Sequence, residues 1–240
     1  MCFAYQGYAA KRYQIFFKKM PAPYFLSPTT ITFPDPQSAL SDPNGLLAIG
    51  GDLSPARLLE AYHQGIFPWY NKNQPILWWS PDPRAVLFFD ELKISHSLAK
   101  LLRKRSFTIT MDRAFNQVMK ACAGPRHGIS GTWIQKEMIV NYGKLHELGI
   151  AHSIEVWQEE KLVGGLYGLT IGKIFCGESM FSHVSNASKI ALVELINLLK
   201  PRGFILIDCQ VINTHLMSLG AREIPRTEFL RILHAKQEKK

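Results

Sequence analysis

The stretch Lys173-Ile-Phe-Cys-Gly-Glu-Ser-Met-Phe-Ser182 limits the possible folds more than any other part of the chain. It is apolar enough to be a buried strand. Side chains alternate along a strand, so Cys176, Glu178 and Met180 are expected on one face, and Phe175, Gly177, Ser179 and Phe181 on the other. A carboxylate set among apolar groups needs a partner, because an ionised Glu is costly to bury alone. Either an internal Lys or Arg pairs with Glu178, or Glu178 awaits a cation on a substrate. A second apolar strand, Phe204-Ile-Leu-Ile-Asp-Cys-Gln210, ends on Asp208 and Gln210, two positions apart and so expected to face the same way. Two buried strands that each deliver polar groups predict a single site.

The surrounding pattern places these strands in an α+β protein. Ser153 to Trp157 and Leu162 to Leu169 alternate and flank a Gln-Glu-Glu-Lys turn, which predicts a hairpin leading through Ile171-Gly172 into the first strand. A helix is expected from about Ala187 to Leu199, then the Phe204 strand, then a helical region around Thr227 to Ala235. Upstream, Ser54 as N-cap, Pro55 at the first helical position and Gly65 at the end mark a helix with Leu58, Leu59 and Tyr62 on its apolar face. Ser95 to Arg105 reads as an amphipathic helix with leucines on one side and Lys100, Arg103 and Lys104 on the other. Asp112 is expected to cap a helix carrying Phe115, Val118 and Met119. Thr132 and Gln135 resemble a capping box opening a helix that runs to Gly149. Helices, then a meander of antiparallel strands, then helix, strand and helix make an α+β order.

A composition shift near Arg84 divides the chain into a small N-terminal α/β domain, residues 20–84, and a larger domain, residues 85–240, with a mainly antiparallel sheet. Residues 1–19 are aromatic and basic without periodicity. They read either as an extension ahead of a true start at Met20 or as a basic arm that touches RNA. Phe67-Pro-Trp-Tyr70 and Leu77-Trp-Trp-Ser-Pro-Asp-Pro-Arg84 read as proline-held loops whose tryptophans pack, with Trp69 the exception that could stack on a base.

Charge narrows the partner. The chain carries 28 Lys and Arg against 19 Asp and Glu, a net +9. Between Lys93 and Arg126 eight basic residues face one acid, Asp112, which favours a polyanion such as nucleic acid or an anionic surface. No apolar run approaches the ~20 residues of a membrane span. The amino terminus lacks the apolar core of a signal peptide. Four cysteines without a CxxC pair read as reduced thiols, which points to the cytoplasm. Metal chemistry is disfavoured, since His146 and His152 are six apart and not at HExxH spacing, and the absence of GxSxG disfavours a serine nucleophile.

The order of hairpin, polar-ended strand, helix and strand resembles the GNAT acyltransferase core. There, a glycine-rich loop opening the helix binds the pyrophosphate of coenzyme A. The corresponding Ser182-His-Val-Ser-Asn-Ala-Ser188 has no glycine, so coenzyme A is not expected and no cofactor is assigned.

More specific motifs carry a second resemblance. Pro43-Asn-Gly-Leu-Leu-Ala48, Gly50-Gly-Asp-Leu-Ser-Pro-Ala56, Gly65-Ile-Phe-Pro-Trp69, Trp78-Trp-Ser-Pro-Asp-Pro-Arg84, Gly131-Thr-Trp133, His146-Glu-Leu-Gly149, Cys176-Gly-Glu-Ser-Met-Phe-Ser182 and Ile207-Asp-Cys-Gln210 are similar to leucyl/phenylalanyl-tRNA–protein transferases, over roughly Phe33 to Arg226. The resemblance implies a cytoplasmic, monomeric enzyme with a GNAT-like domain. It would move Leu or Phe, less often Met, from aminoacyl-tRNA to the N-terminal Arg or Lys of a protein, marking that protein for degradation. It implies that Asp208 polarises Gln210 and that Gln210 accepts a hydrogen bond from the attacking amine. Glu178 would hold the acceptor's amine or basic side chain. Trp69 and Trp133, with Tyr142 beside them, would meet the terminal adenosine, and Phe175, Met180 and Leu166 would line the aminoacyl pocket, with Asn213 nearby. Lys100, Arg103 and Lys104 are expected on the tRNA phosphates. Three places depart from the family's pattern: residues 1–19, the short tail after Ala235, and Leu166 where Met is common.

Overall fold

The computed structural model describes residues 22–104, 106–124 and 132–235. The extension of residues 1–19, the basic side chains of Arg105 and Arg126, and the last five residues lie outside the described residues.

The chain first lays down a four-stranded sheet. Its strands β1 (Tyr24–Leu26), β2 (Leu46–Gly50), β3 (Phe67–Pro68) and β4 (Leu77–Trp79) stand in the order β1-β2-β4-β3. Helix α1 (Pro55–His63) joins β2 to β3. The Ser54 hydroxyl accepts from the Arg57 amide at 3.4 Å, Pro55 opens the helix, and Gly65 follows its end at φ +71°, as the sequence predicts. The two tryptophan-rich segments read as loops contain β3 and β4. Cross-strand pairing makes them strands, since Trp79 pairs with both Leu46 and Phe67. Trp78 is fully buried and donates its indole N–H to the Gly50 carbonyl at 2.9 Å. Trp69 stays 46% exposed.

The second sheet has seven strands: β5 (Arg84–Phe88), β6 (Thr108–Met111), β7 (Ala151–Gln158), β8 (Lys161–Ile171), β9 (Ile174–Ser182), β10 (Leu206–Gln210) and β11 (Arg222–Ile224). Their order is β11-β5-β10-β9-β8-β7-β6. Every pair is antiparallel except β9 with β10, which need a crossover. The helices here are α2 (His96–Lys104), α3 (Phe115–Cys122), α4 (Lys136–Glu147), the crossover α5 (Ala187–Leu199), α6 (Thr214–Ser218) and α7 (Arg226–Leu233). The result is a mixed α and β architecture of two mostly antiparallel sheets, in keeping with the α+β reading. No helix among the described residues is long and apolar enough to cross a membrane.

Apolar cores form on both faces of the large sheet. α1, α3 and α4 share one core with residues of the small sheet, while α2 and α5 share the other. α5 lies close on β8 because Gly164 has no side chain: a Cβ there would sit 2.4 Å from that of Ala187.

Two helix starts differ from expectation. Asp112 lies at φ +61° and accepts from His152 Nδ1 (2.7 Å) and the Ser153 amide (2.8 Å), so it does not cap α3. The buried Glu155 of β7 instead holds the turn leading into α3, accepting from the amides of Arg113 and Ala114 at 3.4 Å each, and the helix itself has no side-chain cap among the described residues. α4 begins at Lys136 without a capping box, because the Gln135 amide turns back to the carbonyls of Thr132 and Trp133.

The decisive departure lies in β9. Its ladder to β8 runs Cys176↔Leu169 and Gly177↔Gly168, then resumes at Ser179↔Tyr167 and Met180↔Leu166. Glu178 is the extra residue of a β-bulge, and the extra residue reverses the alternation beyond it. Met180 therefore joins Phe175 and Leu166 on the α5 face, instead of sharing a face with Cys176 and Glu178. β10 breaks similarly. Asp208 pairs with Val86 and Gln210 with Ala85, leaving Cys209 as the extra residue and Gln210 at φ +58°. The β9–β10 pairing ends at Cys176↔Asp208, where both irregularities begin. Beyond that point the strands part.

Candidate active site

The parted ends of β9 and β10 open a cleft with two lobes. The first, of about 280 Å³, lies under α5 and is lined by Leu166, Phe175, Met180, Leu192, Leu195 and Ile207. Phe175 and Met180 meet there only because of the bulge at Glu178. Phe175 lies against Gly168, where an added Cβ would come within 2.5 Å of its ring. The second lobe, of about 350 Å³, is walled by Phe67, Pro68 and Trp69 from the small sheet's side and by Ile212. Trp133, Glu178, Gln210 and Asn213 line both lobes, so polar groups sit where an apolar pocket meets an aromatic one. Asn213 also caps α6, its side chain accepting from the Leu216 amide at 2.8 Å.

Glu178 has no Lys, Arg or His within ion-pair distance among the described residues. Two phenols hold it instead. The Tyr62 hydroxyl donates to Oε1 at 2.6 Å, and the Tyr142 hydroxyl lies 3.3 Å from Oε2 and 2.5 Å from that of Tyr62. Burial pushes the Glu178 carboxyl up to about 7, opposed by the Tyr62 hydrogen bond and reinforced by the Asp208 charge. Burial and the Glu178 charge keep both phenols neutral, well above their ordinary range. Tyr142, expected beside the tryptophans, is only 1% exposed and reaches the site through its hydroxyl alone.

The internal ion pair belongs to Asp208 instead. Arg84 grips it from Nε and the second guanidinium nitrogen, each at 2.7 Å, with both side chains buried. Arg84 also donates to the Gly65 carbonyl at 2.9 Å and lies between the rings of Phe67 and Phe229, 4.9 and 4.5 Å from their centroids. Asp208 meets Gln210 through the backbone: Oδ1 accepts from the Gln210 amide at 3.0 Å. That bond supports the left-handed turn, a conformation that costs a non-glycine residue about 1 kcal/mol or more. Asp208 and Gln210 thus do not present side chains side by side. The Gln210 side-chain nitrogen is buried and has no hydrogen-bond partner among the described residues. A buried amide nitrogen of this kind needs a partner from outside the protein, either water or a bound group.

Comparison with known proteins fits this geometry. Residues 86–234 match the family model described as leucyl/phenylalanyl-tRNA protein transferase, and residues 51–82 match the one described as its N-terminal domain. The leucyl/phenylalanyl-tRNA–protein transferase of Nitrosospira multiformis is 63% identical over 197 residues, covering 82% of this chain and 85% of that one. The protein of the same name in Cellvibrio japonicus is 57% identical over 209 residues, covering 87% and 89%. The chain belongs to the leucyl/phenylalanyl-tRNA–protein transferase family. It is an aminoacyltransferase. Among solved structures, L-PGS from Bacillus licheniformis overlaps this transferase with a TM-score of 0.38 at 14% identity, over 70% of this chain and 54% of that one. That likeness is too slight to carry an argument about the transferase's fold.

In this transferase the site draws on both sheets. Tyr62 and Arg84 are the functional side chains that sequence reasoning missed. Tyr62 read as part of an apolar helix face and Arg84 as a boundary marker. Lys100, Arg103 and Lys104 are all exposed on α2, which packs against α5 through leucines.

Proposed function

We propose that the protein transfers Leu or Phe, less often Met, from aminoacyl-tRNA to the α-amine of proteins beginning with Arg or Lys. The modified terminus would mark its bearer for regulated degradation in the cytoplasm. The enzyme would act as a monomer and without coenzyme A, with a GNAT-like domain over residues 85–240 following the N-terminal domain over 20–84. The observation that carries the reading is the two-lobed cleft whose apolar and aromatic lobes meet at Glu178 and Gln210. The apolar lobe suits a branched or aromatic aminoacyl side chain. Trp69 and Trp133 offer the terminal adenosine a stacking surface. The basic face of α2 would run along the acceptor stem.

The donor is an activated ester, so alignment with a free amine supplies much of the rate. An α-amine has a pKa of about 7.7–8.0 and is partly neutral near pH 7. Its nitrogen attacks the ester carbonyl while the Gln210 carbonyl accepts a hydrogen bond from it. The amide forms, the ester C–O bond breaks, and the released proton passes to the departing ribose oxygen. Asp208 acts as a positioning residue by fixing the Gln210 backbone.

Incubation with labelled leucyl-tRNA, labelled acetyl-CoA and a peptide beginning with Arg tests the reading. Leucine should move and acetate should not. The reverse result would overturn it.

Glu178 adds a pH signature. With its carboxyl at about 7, its ionised fraction rises from pH 6 to pH 8. An Arg or Lys side chain stays charged over that range. KM for the acceptor should therefore fall by up to about tenfold across it, while titration of the α-amine appears in kcat. Glu178→Gln should raise this KM and flatten its profile. Stability carries the opposite sign. A carboxyl raised on folding contributes stability below its unfolded value that is lost as pH climbs through about 7. Glu178→Gln should thus gain melting temperature relative to wild type at pH 8 compared with pH 5. A wild-type KM that is flat from pH 6 to 8 would remove Glu178 from acceptor binding.

A further inference from the structure

The proposed donor brings a negative charge close to the cleft, in the phosphodiester that joins its terminal adenosine to the nucleotide before. No Lys or Arg lines either lobe. The basic side chain that does is His215 of α6, which lines the apolar lobe together with Leu216 and with Leu192 and Leu195 of α5. It follows by two positions Asn213, which lines both lobes. Lys189 stands in the first turn of α5, one turn ahead of Leu192 and so on the helix face that borders the same lobe.

His215 and Lys189 form an uncompensated positive pair. Burial and the Lys189 charge hold the His215 imidazole below its ordinary range. Neither side chain makes an ion pair or a hydrogen bond among the described residues. A cation in the first turn also opposes the positive end of the helix dipole, and α5 has no acidic residue there to offset it. Two basic groups held together at a cost to the free enzyme suit an anion that arrives with a ligand.

The neighbouring helix indicates which anion. Ile190, next to Lys189, faces the groove where α5 meets Leu101 and Leu102 of α2. Lys189 thus lies between the cleft and the helix that bears Lys100, Arg103 and Lys104. We infer that Lys189 and His215 hold the phosphodiester between the last two nucleotides of the aminoacyl-tRNA, as positioning residues that set the ester where the lobes meet. The inference rests on the proposed function, which puts the adenosine on the tryptophans and the acceptor stem along α2. The Lys189 ammonium and a ring N–H of His215 donate to the non-bridging phosphate oxygens.

Two stable donor analogues test this by binding to the free enzyme. Both carry leucine in amide linkage on the 3′-amino group of a cytidylyl-adenosine. One keeps the phosphodiester, and the other has an uncharged methylphosphonate in its place. The diester should bind about tenfold more tightly, the worth of one or two charge-assisted hydrogen bonds. Lys189→Gln and His215→Gln should each remove most of that advantage, and Lys189→Glu should reverse it. With leucyl-tRNA, each lost contact should lower the salt slope of log K by about 0.7 and raise KM more than it lowers kcat. Lys189→Gln should melt at or above the wild-type temperature, since it relieves the helix end, whereas a structural lysine would lower it. Equal binding of both analogues by wild type overturns the inference and leaves the proposed reaction standing. A diester preference unchanged in all three variants does the same. Failure of both analogues to bind, with no leucine moved from leucyl-tRNA, overturns the proposed reaction and the inference with it.

Discussion

Gln210→Ala should lower kcat by about 10²–10⁴, the range expected when a positioned proton acceptor is lost, and should leave the melting temperature unchanged or slightly raised. Three observations separate these two outcomes. The Gln210 side-chain nitrogen is buried without a partner among the described residues, so removing it breaks no hydrogen bond there. The bond from Asp208 reaches the backbone amide and survives in Ala. Both residues also pay a similar cost at φ +58°, since neither is glycine. KM for aminoacyl-tRNA should change little, because the apolar and aromatic lobes remain. Single-turnover rates with preloaded leucyl-tRNA give the chemical step directly. A variant that keeps its rate while losing several degrees of melting temperature would make Gln210 a structural residue.

The parts of this site that were legible in the sequence are those set by neighbours along the chain. The β7–β8 hairpin shows because period-2 alternation runs up to Glu159 and Glu160, which take φ +47° and +65° in the turn. α5 shows because a polar loop gives way to a mostly apolar stretch, interrupted by Lys189, Glu194 and Asn197. What stayed hidden depends on distant partners. Tyr62 meets Glu178 across 116 positions, and Arg84 meets Asp208 across 124. Nothing in a helix face that reads Leu, Leu, Tyr shows that the phenol serves a carboxylate on another sheet. Asp112 looked like a cap because Glu155, whose carboxylate holds the turn before α3, lies more than forty positions away. The bulge at Glu178 is a different case. Strict alternation put Phe175 and Met180 on opposite faces, whereas a shared aminoacyl pocket required them on one. That conflict, beside Gly177, is the signal a bulge leaves in a sequence.

Asp208→Asn should cost about 3–5 kcal/mol of stability, more than any substitution at the cleft surface, because it strands a buried cation. The geometry leaves asparagine no good arrangement. In wild type, Oδ1 accepts from both Arg84 Nε and the Gln210 amide, while Oδ2 accepts from the other guanidinium nitrogen at 2.7 Å. If the asparagine oxygen keeps the first two bonds, its NH₂ points at an N–H of Arg84, donor against donor. If it flips, the Gln210 amide loses its acceptor and the left-handed turn loses its support. For a chain of this size, 1 kcal/mol is worth about 2–4 °C, so a fall of roughly 6–20 °C is expected. Joining Arg84→Met to Asp208→Asn removes the stranded charge and should recover part of the loss, as replacement of buried ion pairs by apolar groups does elsewhere. The coupling energy of that double-mutant cycle measures the pair itself. Activity should recover less than stability, because the neutral amide oxygen of asparagine holds the Gln210 backbone amide less firmly than the carboxylate does. A double variant restored in both would show that Asp208 matters only as the counter-charge of Arg84, and the positioning role would fall.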